Sequence, residues 1–334
     1  GAYADYFSAF SSRPVEPLLW GLGFLVLCIV VVVRGVSQGI EKVSKVLMPL
    51  LFLLLAGLVV YSVTRPGAGE GLRFLFGIDP ARLSGDTLVG ALGQAFFSLS
   101  VGMGIMVTYG SYVPKSENLA KSAGWICALD TLVAVMAALA IVPVVMITQG
   151  EEGLGMGGGF AFISLPAMFA ELPGGRFFGT AFFALLFLAA LTSAISILES
   201  LVAFLTEEFH LSRARAAIGL SVPMALLSAG YSLSQSAGRG INLPWFDFKN
   251  GLQMLPMNAV MEKFTDNLMI PLGALCFCLF VGWVWGTKAA GQEIAGEHGL
   301  RRMQKPWAFA VRFLAPLVIV VILYFTLGMG EGLS

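Results

Sequence analysis

Gly90-Ala-Leu-Gly-Gln94-Ala-Phe96-Phe97-Ser98-Leu99-Ser100-Val101-Gly102-Met103-Gly104, continued by Thr108-Tyr109-Gly-Ser-Tyr112, decides how the rest of the chain is read. From Thr87 to Tyr112 the sequence is long and apolar enough to cross a bilayer, which takes about 20 residues. Its middle, Ser98 to Gly104, is the wrong composition for a continuous span. Two serines put hydroxyls into hydrocarbon, and glycine is about 1 kcal/mol worse than alanine in a helix. Backbone freed inside a membrane survives only where it lines a cavity or is covered by protein. Two readings stay open on composition. Either the helix breaks near the bilayer midplane, as it does in many secondary transporters, or the small residues serve a close helix–helix contact.

The surroundings fix the class. The chain has 334 residues, of which 57% are hydrophobic and 12% charged. A soluble domain carries roughly twice that charge, so this is a polytopic, all-α membrane protein. The formal net charge is zero, which gives no pull toward nucleic acid or an acidic partner. Cys28, Cys127, Cys276 and Cys278 all fall in apolar segments, where neither a metal site nor a disulfide framework follows from their spacing. His210 and His298 lie in polar stretches and are too few for a zinc site. The sequence starts on Gly1 rather than Met, with no signal peptide before the first span, and is expected to lack its N-terminal part.

Apolar runs predict eight spans, at about 17–33, 43–62, 87–112, 123–147, 177–205, 214–230, 267–287 and 307–328. Lys and Arg are dense in one set of short loops, among them Arg34, Lys42, Lys45, Lys121, Arg213 and Arg215. They are sparse in the longer set that carries Arg65, Arg73, Arg176 and Lys263. The dense set is read as cytoplasmic, which puts both ends of this sequence outside. Thr148 to Gly175 is too apolar for a solvated loop and too broken for a span, and predicts a re-entrant hairpin capping a cavity. Ser232 to Thr265 predicts a second long outer segment, partly helical. Gly39 and Pro49 flank the start of the second span. Pro49 removes a helical hydrogen bond there, giving either a simple kink or a hinge that unwinds locally.

Polar residues at depth carry the chemistry. Ser98 to Gly104 in the third span and Ala189-Ala-Leu-Thr192-Ser193-Ala-Ile-Ser196-Ile197 in the fifth reach a similar level. Two carboxylates lie in the apolar runs: Asp130, about 11 Å from the inner end of the fourth span, and Glu199, about 9 Å from the inner end of the fifth. A charge at such depth faces a polar cavity and marks an ion path, or the group is a protonated or paired structural acid. Hydroxyls, bare carbonyls and a carboxylate are hard ligands that suit an alkali ion, and nothing soft enough for copper or zinc accompanies them. The residues therefore predict an ion-binding transporter or channel, and a broken helix with a capping hairpin favours alternating access over an open pore.

These runs resemble a known family. Gly-Gln94-Ala-Phe-Phe97-Ser98-Leu-Ser100-Val-Gly102-Met103-Gly104 with Tyr-Gly-Ser-Tyr112-Val is similar to the sixth span of the neurotransmitter:sodium symporters. Ala189 to Ile197, followed by Phe204-Leu-Thr-Glu207-Glu-Phe-His-Leu-Ser-Arg213, is similar to the eighth. Arg34-Gly-Val-Ser-Gln-Gly39-Ile-Glu-Lys with Pro49 matches the link into the fifth. The resemblance runs the whole length, so residues 1–334 are expected to form a single partial transporter domain. Its eight helices correspond to spans four to eleven of the leucine-transporter fold, two inverted five-helix repeats, without the first three spans.

The resemblance implies site residues. Ser98 and Asp130 would hold one sodium beside the substrate carboxylate, with Asp130 standing where the family more often has Asn. The Ala189 carbonyl with the Thr192 and Ser193 hydroxyls would hold a second. Phe97, Ser98, Ser100, Met103, Ser193 and Ile197 would contact substrate, with Phe97 as a lid. Asp266 corresponds to an outer-gate acid, and Tyr112 and Glu207 to the inner gate. In animal relatives chloride lies beside the first sodium, at residues matching Gln94, Ser98 and Asp130. Here the resemblance implies that the carboxylate of Asp130 would take the place of that anion, since Ala134 offers no hydroxyl to bind it. The function implied is sodium-coupled symport of neutral, hydrophobic amino acids across a bacterial inner membrane, with sodium as a co-transported ligand, no cofactor and no enzymatic role. The alternatives are a proton- or sodium-coupled carrier of another small solute with the same fold, or an ion channel. No spacing specifies an oligomeric state.

Overall fold

The computed structural model describes residues 2–77, 83–114, 116–148, 150, 160–171, 173–235, 241–248, 251–295 and 304–327. Among them the chain is helical except for one two-stranded hairpin. It divides into two compact units. One comprises residues 1–78 and 131–239, the other residues 79–130 and 240–334.

In the first unit, α1 (Ala2–Ser11) leads into α2 (Glu16–Val33), and a wide π turn (Val36–Glu41) into α3 (Lys42–Val63). The short α4 (Ala68–Phe76) follows. α3 continues through Pro49, so the Gly39–Pro49 segment is a π-helical entry into an unbroken helix and is not unwound. Gly39 is required there, because a Cβ would lie 2.1 Å from the Val31 carbonyl oxygen.

α5 (Gly85–Ser98) and α6 (Ile105–Tyr112) belong to the second unit. α7 (Leu119–Thr148) runs from that unit into the first. α8 (Leu165–Glu171), α9 (Gly175–Glu208) and α10 (Arg213–Gln235) complete the first unit. Its core has two clusters. Leu55, Leu58 and Tyr61 of α3 pack with Val144, Val145, Phe169 and Phe182. Cys28 and Val32 of α2 pack with Ile195, Leu198, Val202, Ala216 and Ala217.

Residues 151–159 of the expected re-entrant hairpin lie outside the described residues. Its described limb is a π turn (Phe160–Ser164) followed by α8, which drives Leu165 and Phe169 into the core.

The second unit continues with β1 (Asn242–Asp247) and β2 (Gly251–Pro256), antiparallel with Asn242 opposite Pro256 and Asp247 opposite Gly251. The segment from Ser232 to Thr265 is therefore partly helical, as expected, but its middle is a hairpin that the helical reading missed. α11 (Met257–Glu262), α12 (Ile270–Leu279) and α13 (Thr287–Ala295) follow, joined by π-helical stretches over Lys263–Met269 and Phe280–Gly286. α14 (Gln304–Phe309) and α15 (Ala315–Thr326), joined by a π turn (Ala310–Leu314), end the described chain. α15 packs on α12 and α5.

Seven helical runs among the described residues are long and apolar enough to cross a membrane. The remaining predicted span, the third, is α5 with α6, which the break leaves as two halves. This is an all-α polytopic membrane fold, and its predicted spans stand, with the seventh much longer (Met257–Ile294) than the apolar run alone indicated.

Candidate functional site

The break in the third span is a matter of backbone geometry. α5 ends at Ser98, and α6 restarts at Ile105 behind the left-handed N-cap Gly104 (φ 76°). Between them Gly102 has φ 95° and Ser100 φ 53°. Such angles cost a residue with a Cβ about 1–2 kcal/mol, which explains the glycines and makes Ser100 a strained position. Gly102 also meets α12 backbone to backbone. A Cβ there would lie 2.2 Å from the Ile270 carbonyl oxygen and 2.8 Å from the Ala274 nitrogen, and a Cβ on Gly273 would lie 2.3 Å from the Gly102 oxygen. Both readings of the small residues are thus correct at once. The helix breaks, and the break is seated against a neighbouring helix.

At the end of α5 the Ser98 hydroxyl donates to Asp130 Oδ1 at 2.7 Å, across 32 residues of sequence. The break therefore brings together two hard oxygen donors that the resemblance assigned to one sodium. Ser98 is exposed and Asp130 half-buried. Phe97 is 52% exposed. It lines, with Gln94, Asp266, Ile270, Ile319 and Thr326, a cavity of about 310 Å3 in the second unit. The expected lid and outer-gate acid share that cavity. Ser100 and Met103 are half-buried within the break. Tyr112 ends α6, with its ring 6.4 Å from that of Tyr109.

The other oxygen group belongs to α9, in the first unit. The Thr192 hydroxyl donates to the Ala189 carbonyl at 3.0 Å and to the Leu188 carbonyl at 3.2 Å. Two of the three expected ligands of the second sodium are thus adjacent. The third, Ser193, is exposed, as is Ile197 one turn on. Glu207 lies exposed at the end of α9.

Glu199 is one of the two intramembrane carboxylates, and the structure decides between its two readings. Its side chain has no solvent exposure and bonds Arg213 Nη2 at 2.5 Å, while the same nitrogen donates to the Val32 carbonyl at 3.0 Å. A paired acid that ties α9, α10 and the end of α2 is a structural element of that bundle. Arg213 was visible in the sequence only as a loop cation. The two residues are 14 apart but lie on different helices, α9 ending at Glu208 and α10 beginning at Arg213, so helical spacing gave no signal to pair them.

The chain is similar to known proteins along most of its length. A family model described as the sodium:neurotransmitter symporter family matches residues 16–331. A protein of Bacillus subtilis (strain 168), named as the uncharacterized sodium-dependent transporter YhdH, is 33% identical over 98% of this chain and 70% of its own length. An uncharacterized sodium-dependent transporter of Haemophilus influenzae is 32% identical over 93% of this chain and 65% of its own length. Among solved structures, that of MhsT in complex with L-phenylalanine superposes with a TM-score of 0.82 at 36% identity, covering 98% of this chain and 71% of that one. The chain thus spans about two thirds of the length of these relatives.

Proposed function

Since the chain belongs to the sodium:neurotransmitter symporter family, we propose that it serves sodium-coupled symport of neutral, hydrophobic amino acids by alternating access in a bacterial inner membrane. The observation that carries the reading is the Ser98–Asp130 bond at the broken helix. A hydroxyl and a carboxylate within 2.7 Å of each other, beside bare backbone, form a hard, anionic oxygen set. Half-helices that offer carbonyls and dipole ends to an ion and a charged substrate are a general transporter device. In this reading Ser98 and Asp130 bind one sodium, and the Ala189 carbonyl with Thr192 and Ser193 binds another. Phe97, Ser98, Ser100 and Met103, at the broken helix, contact substrate. Phe97 and Asp266 close the outer side. The L-phenylalanine bound by MhsT supports a large apolar side chain as the substrate class.

Asp130 also sets the ion requirement. A carboxylate beside the first sodium supplies the negative charge that chloride would otherwise bring, and a second anion next to it is repelled strongly in a medium of low dielectric. Transport is therefore independent of chloride. The test is uptake of labelled L-leucine and L-phenylalanine by the protein reconstituted in liposomes, under an inward gradient of sodium or of potassium, with chloride or gluconate as the anion. Saturable uptake that needs sodium and ignores gluconate is expected. Uptake driven equally by potassium refutes sodium coupling. A collapse in gluconate refutes the role of Asp130, and flux without saturation or counterflow identifies a channel.

A further inference from the structure

The hairpin between α10 and α11 is apolar on the face it exposes. Along β1 and β2 alternate residues are exposed. An antiparallel pair with one face in water puts polar residues on that face. Here the exposed face carries Pro244, Phe246, Leu252 and Met254 between Asn242 and Pro256, with Phe248 beside them, while the less exposed face holds Leu243, Trp245 and Leu255 together with Asp247 and Gln253. Phe246 is 59% exposed, Leu252 71% and Met254 63%. Pro244 pairs with Met254 and Phe246 with Leu252, so these side chains form one patch, and the Phe248 ring closes on Phe246 at 5.2 Å.

The hairpin is also fixed to a membrane span. Pro256 ends β2 and Met257 begins α11 with no linker, and the Met257 amide donates to the Ile241 carbonyl at 2.8 Å, pinning both strands to the head of the helix. That helix opens the Met257–Ile294 run, which is apolar and long enough to cross the bilayer. The apolar patch therefore sits at the end of a run long and apolar enough to cross the bilayer.

We propose that this face of the hairpin is a lipid-docking surface, lying in the headgroup–acyl boundary at the Met257 end of the span. Depth is limited by the backbone. A two-stranded sheet has unpaired edges, and open edges do not enter hydrocarbon, so the strands stay at headgroup level while Phe246, Leu252 and Met254 reach the first acyl carbons. Amphipathic elements that lie in the interface use large apolar side chains in this way. Because the hairpin carries the helix that leads to Asp266, the docking couples the position of that helix to the bilayer surface. The inference rests on the Met257–Ile294 run crossing the membrane and is independent of the ion and substrate assignments.

The experiment uses the full chain with its four cysteines replaced and one cysteine introduced, Phe246→Cys or Leu252→Cys on the patch and Gln253→Cys on the opposite face, each labelled with bimane. Proteins that elute as single species are placed in phosphatidylcholine nanodiscs containing lipid brominated at acyl carbons 6,7 or 11,12. Quenching at Phe246→Cys and Leu252→Cys at least twofold greater with the shallow bromines, and at least twofold greater than at Gln253→Cys, is the expected result. Stronger quenching by the deep bromines overturns the interfacial placement. Quenching by aqueous iodide with none by either lipid overturns lipid docking in favour of a wet or protein-covered face. Disulfide cross-linking between unlabelled Phe246→Cys copies overturns it in favour of a second copy. The two patch positions are independent, so failure of one variant to fold leaves the other to decide.

Discussion

Gly102 gives the sharpest test of the architecture at the broken helix, because two separable costs meet there. Gly102→Ala would place a Cβ on a residue at φ 95°, 2.2 Å from the Ile270 oxygen. The backbone conformation costs about 1–2 kcal/mol, and the overlap, which only backbone movement relieves, about 1–3 kcal/mol. The sum is about 2–5 kcal/mol. Gly104→Ala isolates the first cost, since Gly104 has φ 76° but nothing within 4 Å of its Cβ position. Gly273→Ala isolates the second, being an ordinary helical position whose Cβ would lie 2.3 Å from the Gly102 oxygen. Gly90→Ala is the control for helix propensity alone, in open space, and is expected to be neutral or to stabilise by up to about 1 kcal/mol. The assay is the midpoint temperature for loss of the monodisperse peak in size-exclusion chromatography after a heating step, in one detergent. The expected order of midpoints is Gly90→Ala at or above the parent, then Gly104→Ala, with Gly102→Ala lowest and Gly273→Ala well below Gly90→Ala. If Gly102→Ala matches Gly104→Ala and Gly273→Ala matches Gly90→Ala, the break is not seated on α12 and the argument from close approach fails.

Thr192→Val keeps the shape of the side chain and removes the hydroxyl that lies 3.0 Å from the Ala189 carbonyl. A sodium affinity reduced at least tenfold in an equilibrium binding assay is expected, and unchanged affinity removes Thr192 from the ion site. Met103 is unbranched and soft, so the pocket adapts to different shapes. Leucine, methionine and phenylalanine are expected to compete for one site, and competition by leucine without any aromatic amino acid would contradict this. Arg213→Met strands Glu199, whose side chain has no solvent exposure, at a cost of about 3 kcal/mol. Adding Glu199→Gln should restore much of the lost thermal stability, whereas additive losses would show that the pair contributes little.

The spans were legible because the bilayer imposes one dominant constraint. Some 20 apolar residues are unmistakable in composition, while Ser100, Gly102 and Gly104 marked the stretch between Ser98 and Ile105 as special but left a break and a close helix–helix contact both open. What was not legible depends on partners distant in sequence. The strands over Asn242–Asp247 and Gly251–Pro256 were hidden because their exposed face is apolar, so the usual alternation gave no strand signal against an apolar background. The π turns at Val36–Glu41 and Lys263–Met269 have no residue signature of their own, and Gly39 was readable only as a weak point. The closeness of Ser98 to Asp130, by contrast, came from the family resemblance and not from spacing, since nothing local relates positions 32 apart.

Asp130 and Glu199 together show why depth in the membrane is not enough to assign a role. Both are carboxylates within apolar helices, and both were candidates for an ion path by the same cost argument. Their surroundings separate them. Glu199 has no exposed surface, holds a guanidinium at 2.5 Å and shares that cation with a carbonyl of the neighbouring helix. A full counter-charge is built in, so a mobile cation arriving there would have to displace Arg213. Asp130 is half-open, and the hydrogen bond resolved for it comes from a neutral hydroxyl at the end of an interrupted helix. Ser98 donates a hydrogen bond and is neutral, so it gives the carboxylate no counter-charge of the kind that Arg213 gives Glu199. A fixed pair suits a structural clamp, and a hydroxyl-supported carboxylate suits a site that fills and empties in each cycle. The two variants that follow predict opposite phenotypes. Glu199→Gln should lower stability with little change in sodium affinity, and Asp130→Asn should lower sodium affinity with little change in stability. Binding and thermal stability measured on the same two preparations decide the point, and the division of roles fails if both variants lose the same property.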